Sequence, residues 1–186
     1  MSWSQTFSGV AFTPLDPRPE DVRLEDIAHH LSLQCRFAGA TRRFYSVAEH
    51  SVLVSRVVPQ EGGLPLAALL HDAAEAYLVD IPTPIKRHLY SASDMGVESI
   101  NMLEFRIQTA IADALGVETR FTDARIKAAD LAVLMAEARK LMGPSPRPWD
   151  IDAEPADVTI LGLDPGLAEE LFLHRYGECR RLAGVE

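Results

Sequence analysis

Apolar residues recur at three- and four-residue intervals along most of this chain, and no run alternates cleanly at the two-residue period of a half-buried strand. That pattern predicts an all-α protein. A first helix fits residues 24 to 34, "LEDIAHHLSLQ". A second, over 46 to 58, opens with Ser46 and Glu49 in capping-box spacing and carries Val47, Val54, Val57 and Val58 at helical intervals. A third spans 64 to 78 and contains "ALLHDAAEAYLVD". Pro82 and Pro84 then remove backbone donors and bias their predecessors towards extended structure, so "DIPTPIK" is expected as a rigid loop. Long helices fit 96 to 115 and 122 to 141. "MGPSPRPWD" breaks the pattern, and a last helix over 165 to 182 is expected to dock on the rest.

With 186 residues the chain has the length of one domain. The expected organisation is a single domain over 1 to 186, with its core at about 25 to 142, an irregular arm over 1 to 23, and a linker with the docking helix over 143 to 186. No apolar run approaches a membrane span of about 20 residues, and "MSWSQTFSGV" lacks the charge and apolar core of a secretory signal, so a cytoplasmic location without membrane association is expected. Cys35 and Cys179 stand far apart and form no CxxC, which suggests packing residues rather than a disulfide or thiolate metal site. A formal net charge of −9 argues against a surface for polymeric nucleic acid, but leaves room for a small anion held by one or two arginines.

Against this apolar background a few polar side chains share faces with core residues. His50 lies with Val47, Leu53, Val54 and Val57; His71 with Ala67, Ala68, Ala74 and Leu78, with Glu75 one turn on; Asp130 with Ile126, Val133 and Leu134. Burying such groups singly costs several kcal/mol, about the penalty for an unpaired polar or charged group, so they should meet one another or a cation. Two neutral imidazoles and the carboxylates of Asp72 and Asp130 form a mixed N/O set suited to a divalent first-row ion with positions left for water or substrate. Taken singly, each has a blander explanation: Asp130 could pair with Lys127 or Arg125 on its own helix, and His29, His30, His88 and His174 read as core or surface residues. Only the combination points to a metal.

The order H…HD…D, as His50, His71-Asp72 and Asp130, resembles the HD-domain metal-dependent phosphohydrolases. "YSVAEHS", "LLHDAAEAYLVDIPTPIK" and "IKAADLAVLMAE" are most similar to the YfbR-like 5′-deoxynucleotidase branch, over about residues 25 to 142. The resemblance implies a compact HD-domain fold of about six helices around one divalent ion, such as Mn, Co, Mg or another first-row transition metal. It implies hydrolysis of phosphate from (deoxy)nucleotides, most of all 5′-deoxyribonucleoside monophosphates. It implies that Glu75 is the catalytic acid/base, that Asp80 stands near the sugar and the attacking water, and that Arg36 grips the phosphate.

Three departures bear on the substrate. Arg36 lies one residue closer to His50 than that branch places it, Phe37 stands where a Trp associated with deoxyribose preference is found, and Val79 replaces the Gly before the Asp. His88 is the only histidine between the HD pair and Asp130, which favours one metal over two, and the GYP motif of the cyclic-dinucleotide branch is absent. A phage-type deoxynucleoside triphosphate triphosphohydrolase and a degenerate nucleotide-binding HD domain remain the alternatives. Arg42, Arg43 and Lys86 fit either a phosphate site or solvated surface, and Tyr77 reads as core. Many members of the resembled family form dimers or higher oligomers, and Leu167, Leu171, Phe172 and Leu173 fit such a contact or packing on the chain itself.

Overall fold

A computed structural model describes residues 3–93, 96–118 and 123–185. It is mostly helical. Helices α1 (Leu24–Leu33), α2 (Val47–Val57) and α3 (Leu64–Leu69) are followed by two single turns, α4 (Glu75–Leu78) and α5 (Thr83–Lys86), and by the long helices α6 (Ile100–Leu115), α7 (Ala124–Leu141) and α8 (Pro165–Ala183). Strands β1 (Ser4–Gln5) and β2 (Ala11–Phe12) pair antiparallel, as do β3 (Tyr90–Ser93) and β4 (Gly96–Ser99).

Helix α2 is the shared wall of two apolar clusters. Val47, Ala48 and Val52 join Ile27 and Leu31 of α1, Leu66 and Leu69 of α3, Ile107 and Ile111 of α6, and Phe172 of α8. Leu53, Val54 and Val58 instead join Ile126 and Val133 of α7. The last helix packs against α1, α2 and α3, with Ala168, Phe172 and Cys179 fully buried, while Leu167 stays exposed. The apolar face of α8 is thus largely occupied by its own chain. Neither cysteine is in a disulfide.

Several boundaries differ from the sequence expectations. The expected start of α7 at Thr122 lies outside the described residues; Asp123 caps that helix by accepting the Arg125 N–H at 2.9 Å. The expected helix over 96 to 115 starts only at Ile100, where Ser99 accepts the Met102 N–H, because residues 96 to 99 pair as β4 with β3. The N-terminal arm carries a small hairpin that inserts Phe12 into the core against Tyr77, with stacked rings 3.9 Å apart. Tyr77 is a packing residue, as expected. Within "DIPTPIK", Thr83–Lys86 forms one helical turn after Pro82.

The expected helix over 64 to 78 is interrupted where the chemistry lies. The Gln108 side-chain amide donates to the carbonyls of Leu70 and His71, at 2.5 and 2.7 Å. The Glu75 N–H consequently bonds to Asp72 O, three residues back, rather than to the carbonyl four back that an α-helix would use. His71 and Asp72 therefore sit in a tight turn between α3 and α4.

A strap after α7 closes the other side. Ala156 N–H bonds to Ala132 O at 2.9 Å, and the buried Glu49 carboxylate accepts the N–H groups of Leu161, Gly162 and Leu163 at 2.8, 3.1 and 2.8 Å. The expected capping box is therefore half realised: Ser46 accepts the Glu49 N–H, but the Glu49 side chain is committed to the strap.

Candidate metal centre

His50, His71 and Asp72 form a group that could hold a metal ion, their donor atoms lying within 4.8 Å of one another. His50 projects from the middle of α2, Asp130 from α7, and His71-Asp72 from the turn held by Gln108. His50 Nε2 is 3.6 Å from Asp72 Oδ2 and 3.4 Å from Asp130 Oδ1; His71 Nε2 is 3.2 and 4.0 Å from the same two oxygens. An ion with bonds of about 2.1 Å sets neighbouring donors roughly 3.0 to 3.5 Å apart, so the spacing fits after small adjustments.

The imidazole environments supply a second test of fit. His71 Nδ1 is 2.8 Å from Ala68 O and His50 Nδ1 is 2.7 Å from Glu137 Oε1, so each Nδ1 donates its proton away from the centre. Both Nε2 atoms are buried without a hydrogen-bond partner among the described residues. Protein-anchored Nδ1–H with a free Nε2 lone pair is the arrangement of a metal-ligating histidine. Asp130 divides its two oxygens: Oδ2 takes Lys127 Nζ at 2.7 Å, the ion pair its own helix offers, while Oδ1 faces the imidazoles.

Glu137, fully buried two turns after Asp130 on α7, was not singled out from the sequence. It ties His50 to Arg36: Oε1 accepts from His50 Nδ1 and from Tyr45 OH, each at 2.7 Å, and Oε2 lies 3.2 Å from Arg36 Nε. Burial opposes its ionisation, but Arg36 and His50 outweigh burial and hold its pKa low. Arg36 is buried too, 7% exposed, with Nη1 3.6 Å from Asp72 Oδ2. Desolvation opposes its charge, and Glu137 and Asp72 more than restore it. Burial likewise disfavours the Asp72 anion, yet His71 and His50 bring its pKa below the usual range.

Glu75 starts α4 beside this cluster, buried, with Oε2 unpartnered among the described residues. Burial, reinforced by Asp72 and Asp80, pushes its carboxyl well above the ordinary range. Asp80 is half-buried and raised by burial and by Asp72, with Arg36 opposing. Phe37 follows Arg36 in a left-handed conformation (φ 56, ψ 30), its ring 5.4 Å from the guanidinium and edge-on to Trp149 at 6.2 Å. The residues expected at the site are thus linked by contact or charge to one cluster, Phe37 at its edge through Arg36. A separate cavity of about 530 Å³, lined by Leu53, Arg56, Val57 and Ala132 among others, includes none of these groups.

The chain is 37% identical over 185 residues to the uncharacterized protein YfdR of Escherichia coli (strain K12), the match covering 98% of each chain. It belongs to the YfdR family. The uncharacterized protein RCAP_rcc00048 of Rhodobacter capsulatus is 35% identical over 173 residues, covering 87% of this chain and 85% of that one. No protein-family model matches the chain.

Lys86 and Arg43 of this YfdR-family chain, and three of the histidines read as core or surface residues, have structural partners. Lys86 pairs with Glu104 at 2.6 Å, and Arg43 donates to Ile160 O at 3.2 Å. His29 meets Glu169 at 2.9 Å, His30 meets Ala76 O at 2.8 Å, and His174 is 3.6 Å from Glu178. Glu137 had a readable signal, because it shares a helical face with Asp130 and Val133 at i+7 and i+4. Gln108 had a weaker one: a polar residue between Ile107 and Ile111, with nothing in the sequence to name its acceptors. Among the described residues no helix is long and apolar enough to cross a membrane.

Proposed function

We propose that this protein is a divalent-metal-dependent HD-domain phosphohydrolase that removes phosphate from 5′-nucleotides, with deoxyribonucleoside monophosphates as the first substrates to test. The observation that supports it most is the pair of buried Nε2 atoms on His50 and His71, each left free by an anchored Nδ1, facing the oxygens of Asp72 and Asp130. These four residues would hold the cation, which supplies Lewis-acid polarisation of a phosphoryl oxygen and a more acidic water.

The remaining groups have distinct tasks. Arg36, kept charged by its carboxylate neighbours, offers its planar fork to non-bridging phosphate oxygens. Asp80 accepts a hydrogen bond from the attacking water or the sugar. As water oxygen bonds to phosphorus and the bond from phosphorus to the ester oxygen breaks, Glu75 gives its proton to the departing ester oxygen, which leaves as the nucleoside hydroxyl, and the proton released by the water restores Glu75. Its raised pKa keeps that proton available towards neutral pH. Phe37 and Trp149 offer aromatic surface to the nucleoside.

Chromatographic product analysis of metal-reconstituted protein, incubated with deoxy- and ribonucleoside mono- and triphosphates, tests the reading. Nucleoside and free phosphate from monophosphates are expected, and the deoxy/ribo ratio reports the sugar preference left by Phe37. Nucleoside with inorganic triphosphate would instead assign the triphosphohydrolase reaction. Absence of any product from metal-loaded protein with Mn, Co or Mg would reject hydrolysis of these nucleotides.

A further inference from the structure

Glu75 and Asp80 are joined by a short stretch whose backbone is strained at one point. Val79 has φ 71 and ψ 158, a conformation that is essentially the preserve of glycine and is costly for a β-branched residue. Burial of the side chain does not compensate, since Val79 is 59% exposed. Something else must keep the chain there.

The Gln34 side chain spans the strained residue. Its Nε2 donates to Glu75 O at 2.9 Å, and its Oε1 accepts the Asp80 N–H at 3.0 Å. The Val79 N–H closes the same turn on Glu75 O at 2.8 Å. Gln34 is itself anchored, because its carbonyl accepts the N–H of Val47, the first residue of the helix that carries His50, at 3.1 Å. Two residues after Gln34 comes Arg36. A single amide therefore links the backbone of both acidic residues to the segment that carries the arginine and to the start of α2.

We infer that Gln34 is a positioning residue: its side-chain amide holds Val79 in the strained conformation and so fixes Glu75 and Asp80 relative to each other and to Arg36. The catalytic consequence rests on the function proposed above. The link between Gln34 and the strain does not, and can be measured without substrate.

Four metal-loaded proteins test it: wild type, Val79→Gly, Gln34→Leu and the double variant. With Gln34 present, Val79→Gly is expected to raise Tm by about 2 to 4 °C, because relief of strain exceeds the entropy glycine adds to the unfolded chain. In the Gln34→Leu background the gain should vanish or reverse, since Val79 can then relax. An equal gain in both backgrounds would overturn the link. In turnover, Gln34→Leu should lower kcat on the order of 10²-fold with a much smaller change in KM and an unchanged metal content, as misplacement of reacting groups does. A lower Tm with kcat and KM intact would reduce Gln34 to a structural residue and overturn the positioning role. If the wild type hydrolyses none of the nucleotides, the proposed function fails, while the Tm comparison still decides whether Gln34 holds the strain. Should Gln34→Leu fail to fold, Gln34→Asn, which retracts the amide by one methylene, enters the same comparison.

Discussion

Each imidazole at the centre has one nitrogen committed to the protein and one left over, and that asymmetry separates the roles of neighbouring side chains. Asp72 is among the donor atoms whereas Glu75 is not, so Asp72→Ala is expected to lose both bound metal and turnover, and Glu75→Ala to lose turnover with metal retained. Metal analysis by mass spectrometry on the two purified variants checks this; equal metal loss in both would contradict the division. Glu137 acts through His50 Nδ1 at 2.7 Å. Replacing it with Gln weakens that acceptor and removes the charge opposite Arg36, and a metal affinity lower by about 10- to 100-fold is expected in competition with a chelator.

At the scale of elements, side chains acting as hydrogen-bond partners for main chain decide where helices stop. Gln108 takes the carbonyls of Leu70 and His71, which ends α3 and turns His71 and Asp72 towards His50 and Asp130. Glu49 does the same for the strap, satisfying three consecutive N–H groups with one buried carboxylate. Glu49→Leu would strand those donors, and a loss of at least about 2 kcal/mol in urea unfolding is expected. Neither device was legible in advance. The periodicity of "LPLAALLHDAAEAYL" is that of one helix, and only a partner 37 residues away, counted from His71 to Gln108, interrupts it. The hairpin of β3 and β4 was missed for a similar reason: four residues in each strand are too few to establish an alternation.

For the whole molecule, the buried charges predict how stability changes with pH in the metal-free protein. Asp72, Asp130 and Glu137 ionise more readily in the fold than in the unfolded chain. Their contribution is present above about pH 4, the unfolded carboxyl range, and is lost as pH falls through their depressed values. His50 runs the other way. Burial and Arg36 oppose its protonation, but Glu137 and Asp130 raise its pKa to about 9. Its contribution is full below about pH 6.5 and is lost as pH rises through the folded value. Glu75, also raised, reinforces the decline with rising pH. Chelated protein should therefore lose Tm between pH 6.5 and about 9. Binding a cation at His50 displaces its proton, so metal affinity should rise with pH, on the order of tenfold per unit, until that value is reached. A pH-independent affinity over this range would exclude His50 as a ligand.

The amino-acid sequence by itself determined the mostly helical character, the docking of the last helix, and the presence of the polar side chains His50, His71, Asp72 and Asp130 on otherwise apolar faces, because helical periodicity and the scarcity of polar groups on apolar faces are local properties. Arg36 was legible as a charge near the site, but its burial against Glu137 was not. The tertiary structure alone decided which nitrogen of His50 is free, where the helix before His71 ends, and how Val79 is held. Each of these depends on a hydrogen bond between residues distant in the chain, namely His50 with Glu137, His71 with Gln108, and Asp80 with Gln34. Periodicity reports which side of a helix faces inward; it carries no record of the partner met there.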